Sequence, residues 1–108
     1  MLLDIRETDQ PRAFRLIGEL DISNADTLAA VLDREVQAEG DITLDLSELT
    51  FIDSSGIRVL LKAMDGLNGK GTLVLSSPTS SVRHVLSLMG LNEGERIRVI
   101  DPADQAGS

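Results

Sequence analysis

Residues Leu49 to Lys62 read LTFIDSSGIRVLLK, and the fold turns on how this stretch divides. Thr50, Phe51 and Ile52 are β-formers. From Ile57 onward the apolar residues Ile57, Leu60, Leu61 and Met64 keep i, i+3, i+4, i+7 spacing, which is one face of a helix. Between the two lie Asp53, Ser54, Ser55 and Gly56. A hydroxyl there suits a helix N-terminus, because it accepts a backbone N–H that the first turn leaves unpaired. The stretch therefore reads as a strand, a junction and a helix.

Working outward, Asp41 to Ser47 (DITLDLS) alternates, with Ile42, Leu44 and Leu46 on one face and Thr43 and Asp45 on the other. Ala13 to Leu20 (AFRLIGEL) sets Phe14, Leu16 and Leu20 on one face with Gly18 among them. Thr72 to Leu75 and Ile97 to Ile100 read as short buried strands, and Leu2 to Arg6 as a further one. Ser23 followed by Asp26 resembles a capping box with Asp in place of Glu. Leu28, Val31, Leu32 and Val36 follow it, and Gly40 supplies a stop. Gly66 and Gly69 close the helix after the junction, and with Gly71 they read as turn glycines. Ser77-Pro78 reads as an N-cap and N1 proline, ahead of Val82, Val85, Leu86 and Met89, with Gly90 ending the run.

The order is strand, strand, helix, strand, helix, strand, helix, strand. That alternation predicts a single α/β domain with a mixed, mostly parallel sheet of about four to five strands and about three to four helices. The domain is expected over residues 1–101, with a disordered tail over 102–108. In such sheets functional groups gather beyond the carboxyl ends of the strands. Parallel, adjacent strands would bring Glu19 and Asp21 beside Asp53 and Ser54.

Composition narrows the function. The chain has 108 residues, 42% of them hydrophobic, with two Phe and no Trp or Tyr, so the core is aliphatic. Ten basic residues against eighteen acidic ones give a formal charge of −8. That disfavours nucleic acid and anionic membranes, which need clustered Lys and Arg, and the lack of aromatics disfavours base stacking. Without Cys there is no disulfide, thiolate metal site or thiol nucleophile. Asp4, Glu7 and Asp9 have no ligand spacing for Ca²⁺ or Mg²⁺, and neither GxGxxG nor a P-loop is present, so no cofactor is expected. The acidic N-terminus is no signal peptide, and no apolar run reaches the ~20 residues of a membrane span. The expected setting is the cytoplasm.

The paired serines admit three readings. Ser54 or Ser55 caps the helix, which is worth about 1 kcal/mol. As a hydrolase nucleophile, Ser54 lacks the G-x-S-x-G setting, and the one histidine, His84, lies in a distant helix beside Val85 and Leu86. As a phosphate acceptor, a serine at a helix start is open to a kinase, and its phosphate faces backbone N–H groups and the positive dipole end. It would deepen the negative charge of Glu19, Asp21 and Asp53, with Arg58 one turn on as a partial counter-charge.

Gly18-Glu19-Leu20-Asp21, Leu44-Asp45-Leu46-Ser47 and Phe51-Ile52-Asp53-Ser54-Ser55-Gly56, with SSPTSSVRHVLSLMGL further on, resemble bacterial anti-sigma-factor antagonists of the STAS domain class. The resemblance runs from about Phe14 to Ile100. It implies a binding module without catalysis of its own. The unphosphorylated form binds an anti-sigma factor that is also a GHKL-type serine kinase, and so frees a sigma factor. Phosphorylation at Ser54 releases it, and a PP2C-type phosphatase restores it. Asp21 matches the family's loop aspartate at the kinase interface, Asp53 precedes the acceptor, and Ser55 and Gly56 shape the helix start. Arg58 stands where the family often has a small residue, so its bulk and charge tune partner choice. A monomer or weak dimer is expected. The alternatives are a STAS scaffold subunit of a stress-signalling assembly, a soluble subunit of a lipid transporter, and a small serine hydrolase.

Overall fold

In the computed structural model, which describes residues 2–91 and 94–101, the chain forms five strands and three helices. In order they are β1 (Leu3–Glu7), β2 (Ala13–Leu20), α1 (Ala25–Glu35), β3 (Ile42–Ile52), α2 (Ser54–Leu67), β4 (Leu73–Ser76), α3 (Ser80–Leu88) and β5 (Ile97–Ile100). The expected tail over 102–108 lies outside the described residues. The strands form one sheet in the order β1-β2-β3-β4-β5. Only the β1–β2 hairpin is antiparallel, and the other three neighbours are parallel, each joined by a helix. Helix-length crossovers are what parallel neighbours require.

The α/β alternation is as the periodicity predicts, and the departures have local causes. β3 runs five residues beyond Ser47. The alternation breaks because Ser47 and Glu48 are both exposed, and the register against β2 slips between Arg15 and Ile17. The Asp45 carboxylate accepts the Ser47 N–H at 2.9 Å and so holds this bulge. Beyond it Leu49 and Ile52 return to the core.

Helix α2 buries Ile57, Leu60, Ala63 and Leu67, a stripe turned from the expected one, with Leu61 and Met64 at its margin. Gly66 is no turn glycine. It lies inside the helix, where an added Cβ would meet Val36 Cγ2 at 3.1 Å, and the helix ends instead at Asn68 in the left-handed region. Helix α3 is capped by Thr79 rather than Ser77, whose φ is +54°, and it ends before Met89, which is exposed. Asn24 rather than Ser23 is the N-cap residue of α1.

β4 pairs with only Ile42–Asp45 of β3, so the last part of β3 lacks a strand on that side among the described residues. The start of α3 fills the place. Thr79 Oγ1 donates to the Leu49 carbonyl at 2.9 Å and Ser81 Oγ to the Thr50 carbonyl at 3.2 Å. The hydroxyls of SSPTSS thus satisfy backbone acceptors that a strand would otherwise take. The core is one cluster from both strands and helices, aliphatic except for Phe14. The other face of the sheet carries charge: Arg15 Nε lies 3.0 Å from Asp45 and its Nη1 lies 3.7 Å from Glu48. Burial opposes ionisation of Asp45, but bonds from Ser47 and Arg15 outweigh it and hold the carboxyl below its ordinary value.

Gly18 lies opposite Leu3, where the start of β1 pairs with the last part of β2. Its φ is +109°, and a Cβ there would lie 2.3 Å from the Leu2 carbonyl oxygen. Gly18→Ala should lower stability by at least about 1 kcal/mol in urea denaturation; an unchanged midpoint would show that the hairpin shifts freely to make room.

Candidate functional site

The site is built where the parallel strands β2 and β3 end together. The Asp53 N–H donates to the Leu20 carbonyl at 3.2 Å, which closes the two strand ends on each other. Glu19 stands opposite Phe51 and Leu20 opposite Ile52 in the register. Asp21 follows at once, so the expected convergence of the Gly18–Asp21 and Asp53–Gly56 segments is realised.

At the start of α2 the backbone of Asp53 is extended, and its Oδ1 accepts the N–H of Ser55 at 2.9 Å and of Gly56 at 3.2 Å. Asp53 is therefore the cap, and neither serine is. Ser54 is the first helical residue and exposed, and its hydroxyl makes no hydrogen bond among the described residues. Gly56 is buried, and a Cβ on it would come within 2.7 Å of Ile52 Cγ1 and of Leu20 Cγ. A hydrogen at this position lets the first turn of α2 rest directly on the strand ends.

The loop after β2 is held by its own side chains. Asn24 Nδ2 donates to the Glu19 carbonyl at 2.9 Å, and Asn24 Oδ1 accepts the Asp21 N–H at 3.0 Å. Asp21 accepts both the hydroxyl and the N–H of Ser23. The Ser23 hydroxyl bond, more than the backbone bond, favours the charged form and holds the Asp21 carboxyl below its usual range. Ser23, expected to start α1, instead fixes this acid. The loop thus presents an ionised carboxylate beside the junction.

Two apolar residues flank these acids. Ile22 is 81% exposed and Phe51 46%. Ile22 rims a groove of about 280 Å³ between α1 and α2, lined also by Ala25, Ala29, Ser55, Arg58 and Lys62. Arg58 is exposed and makes no ion pair among the described residues. The structure thus sets Ser55 and Arg58 on one groove wall. Sequence reasoning passed over Ile22 and Phe51. A signal existed for Phe51, one of only two aromatics in the chain, lying between core positions Leu49 and Ile52 without sharing their face.

For the serine-nucleophile reading, Ser54 has no base hydrogen-bonded to it among the described residues, and His84 is an exposed residue of α3. No cluster of three or more acids or histidines suited to a metal ion occurs among the described residues. No helix among them is long and apolar enough to cross a membrane.

The sequence model of the STAS domain matches residues 3–101. The chain belongs to the STAS domain family. Solved structures agree on the fold. The anti-sigma factor antagonist SpoIIAA in its unphosphorylated form superposes with a TM-score of 0.71 at 22% identity, covering 97% of this chain and 93% of that one. A STAS anti-sigma-factor antagonist domain protein from Planctomyces limnophilus gives 0.77 at 18% identity, over 98% and 96%. The Bacillus cell fate determinant SpoIIAA in its phosphorylated form gives 0.61 at 21% identity, over 98% and 97%. At these identities the likeness is one of fold.

The capping assignment is open to direct measurement. Asp53→Ala should cost about 1 kcal/mol, the value of an N-cap side chain. Ser54→Ala should stay within about 0.5 kcal/mol of wild type. The reverse order in urea titrations would return the cap to the serine.

Proposed function

We propose that this STAS domain is an anti-sigma-factor antagonist switched by phosphorylation of Ser54. In its unmodified form it binds an anti-sigma factor that is also a GHKL-type serine kinase, and so frees a sigma factor. The kinase transfers phosphate to Ser54, the complex separates, and a PP2C-type phosphatase restores the binding form. The chain acts as a substrate and binding module. The observation that carries this reading is the division of labour at α2: Asp53 caps the helix, and Ser54 stands beside it exposed and unbonded.

That division also bears on how the switch acts. A phosphate at the helix start is expected to face backbone N–H groups, but those of Ser55 and Gly56 are already taken by Asp53. A phosphate on Ser54 therefore keeps most of its charge facing outward, adding roughly −1.5 to −2 beside Asp53 and Asp21. The docking surface in this reading comprises Glu19 and Asp21 on one loop, Asp53, Ser55 and Gly56 at the helix start, and Arg58 at the rim. Ile22 and Phe51 add apolar contact, as the desolvated centre of an interface requires. Arg58, one turn from Ser54, lies where it can approach the phosphate.

Two variants test the reading. Ser54→Ala should remain folded and stay bound to the kinase through repeated washes in the presence of ATP. Ser54→Asp should remain folded and lose at least about tenfold in affinity, the effect of roughly 1.4 kcal/mol. If Ser54→Asp bound the kinase as tightly as wild type, the electrostatic switch would be wrong.

A further inference from the structure

Strand β1 is an edge of the sheet. Which of its peptide groups face outward follows from its inner pairing. The Glu19 N–H donates to the Leu2 carbonyl at 3.2 Å and the Thr8 N–H to the Ala13 carbonyl at 3.1 Å. With Leu3 opposite Gly18 and Ile5 opposite Leu16 in an unbroken register, the even-numbered residues bond inward. Leu3, Ile5 and Glu7 turn their N–H and C=O groups to the free side. The strand LDIRE contains no proline or bulge to block that side.

We propose that this edge is a self-association surface, on which two copies of the chain pair β1 with β1, antiparallel, about a twofold axis through Ile5. The charges select the register. Centred on Ile5, the ladder sets Asp4 opposite Arg6 of the second copy and Arg6 opposite its Asp4. Both pairs fall at non-hydrogen-bonded positions, where side chains approach most closely. Moving the centre to Asp4 sets Asp4 against Asp4, and moving it to Arg6 sets Arg6 against Arg6; like charges directly opposite are unfavourable. Within one chain Arg6 lies 2.7 Å from Asp4 in an exposed pair and stands opposite Arg15 on β2. The second copy brings another carboxylate to an arginine whose inner neighbour is also an arginine.

The helix side of the strand adds apolar contact. Leu3 and Ile5 line a groove of about 330 Å³ with Phe14 of β2 and Val31 of α1, and Glu7, Thr27 and Arg34 form its polar part. The twofold axis sets Ile5 against Ile5 and joins the two grooves into one seam. Leu2, 89% exposed in the single chain, falls opposite Thr8 of the second copy. The other edge lacks this complementarity. On β5 Arg98 is the only charge, and antiparallel self-pairing opposes it only to even-numbered residues, which within the strand are Ile100 and Arg98 itself.

The twofold axis reverses strand direction between the copies. The two Ser54 junctions, at the carboxyl ends of their β3 strands, face opposite ends of the pair and both stay open. The pairing therefore stands independently of the phosphorylation reading.

The test is charge exchange on the full chain, followed by sedimentation equilibrium from about 10 µM to about 1 mM. Wild type should pass from monomer to dimer mass over that range. Asp4→Arg and Arg6→Asp, each alone, should raise the dimer dissociation constant on the order of tenfold or more, because each sets like charges face to face. Mixing the two single variants, or combining both in one chain, should restore association, since opposite charges again meet. Circular dichroism checks that these exposed substitutions leave the fold intact. A wild type that stays monomeric throughout, single variants that dimerise as wild type does, or a mixture that fails to recover would each overturn the proposal.

Discussion

The carboxylate of Asp53 holds the first turn of α2, and the rest of the site depends on its doing so. Its Oδ1 takes two N–H groups that the helix cannot pair internally. Its own N–H ties β3 to the end of β2 through Leu20. Gly56 then lets the helix settle onto Leu20 and Ile52 with no side chain between. With capping, strand closure and packing assigned to these groups, Ser54 is left without a structural task. A residue in that position can be chemically altered while the core beneath it stays as it was.

Charge decides what such an alteration does. The junction already carries Asp53 and a loop carboxylate, Asp21, kept ionised by Ser23. The helix end is a natural anion site, but a side-chain carboxylate occupies it. Two like charges about 4 Å apart repel by about 1 kcal/mol in bulk water and about 4 kcal/mol near a protein surface. In the proposed reading, a phosphate on Ser54 facing one acid of a docked partner would therefore weaken binding tenfold or more, without any shift in the fold.

Much of this was legible in the sequence. Regular alternation marks β2 and the first half of β3, and i, i+3, i+4 spacing marks the helices, so the order of elements and the meeting of Glu19 and Asp21 with Asp53 and Ser54 followed. What escaped depended on tertiary context. β3 extends past Ser47 only because a bulge held by Asp45 re-phases it against β2. Thr79 rather than Ser77 caps α3 because its hydroxyl also meets a β3 carbonyl that β4 does not reach. The buried stripe of α2 passes through Ala63 and Leu67 because the helix runs on through Gly66, whose missing Cβ leaves room for Val36 just after α1. At the junction, four cap-type residues in a row gave no local ground for choosing Asp53 over the serines; the extended backbone of Asp53 makes the choice.

The measurement that bears most directly on the account is intact mass with phosphosite mapping, on the protein purified from its own host before and after treatment with a serine phosphatase. The account predicts a single removable phosphate on Ser54, adding about 80 Da. One unmodified mass under growth and stress alike would contradict it, leaving the STAS fold with a constitutive binding role and Ser54 as an ordinary exposed first residue of α2.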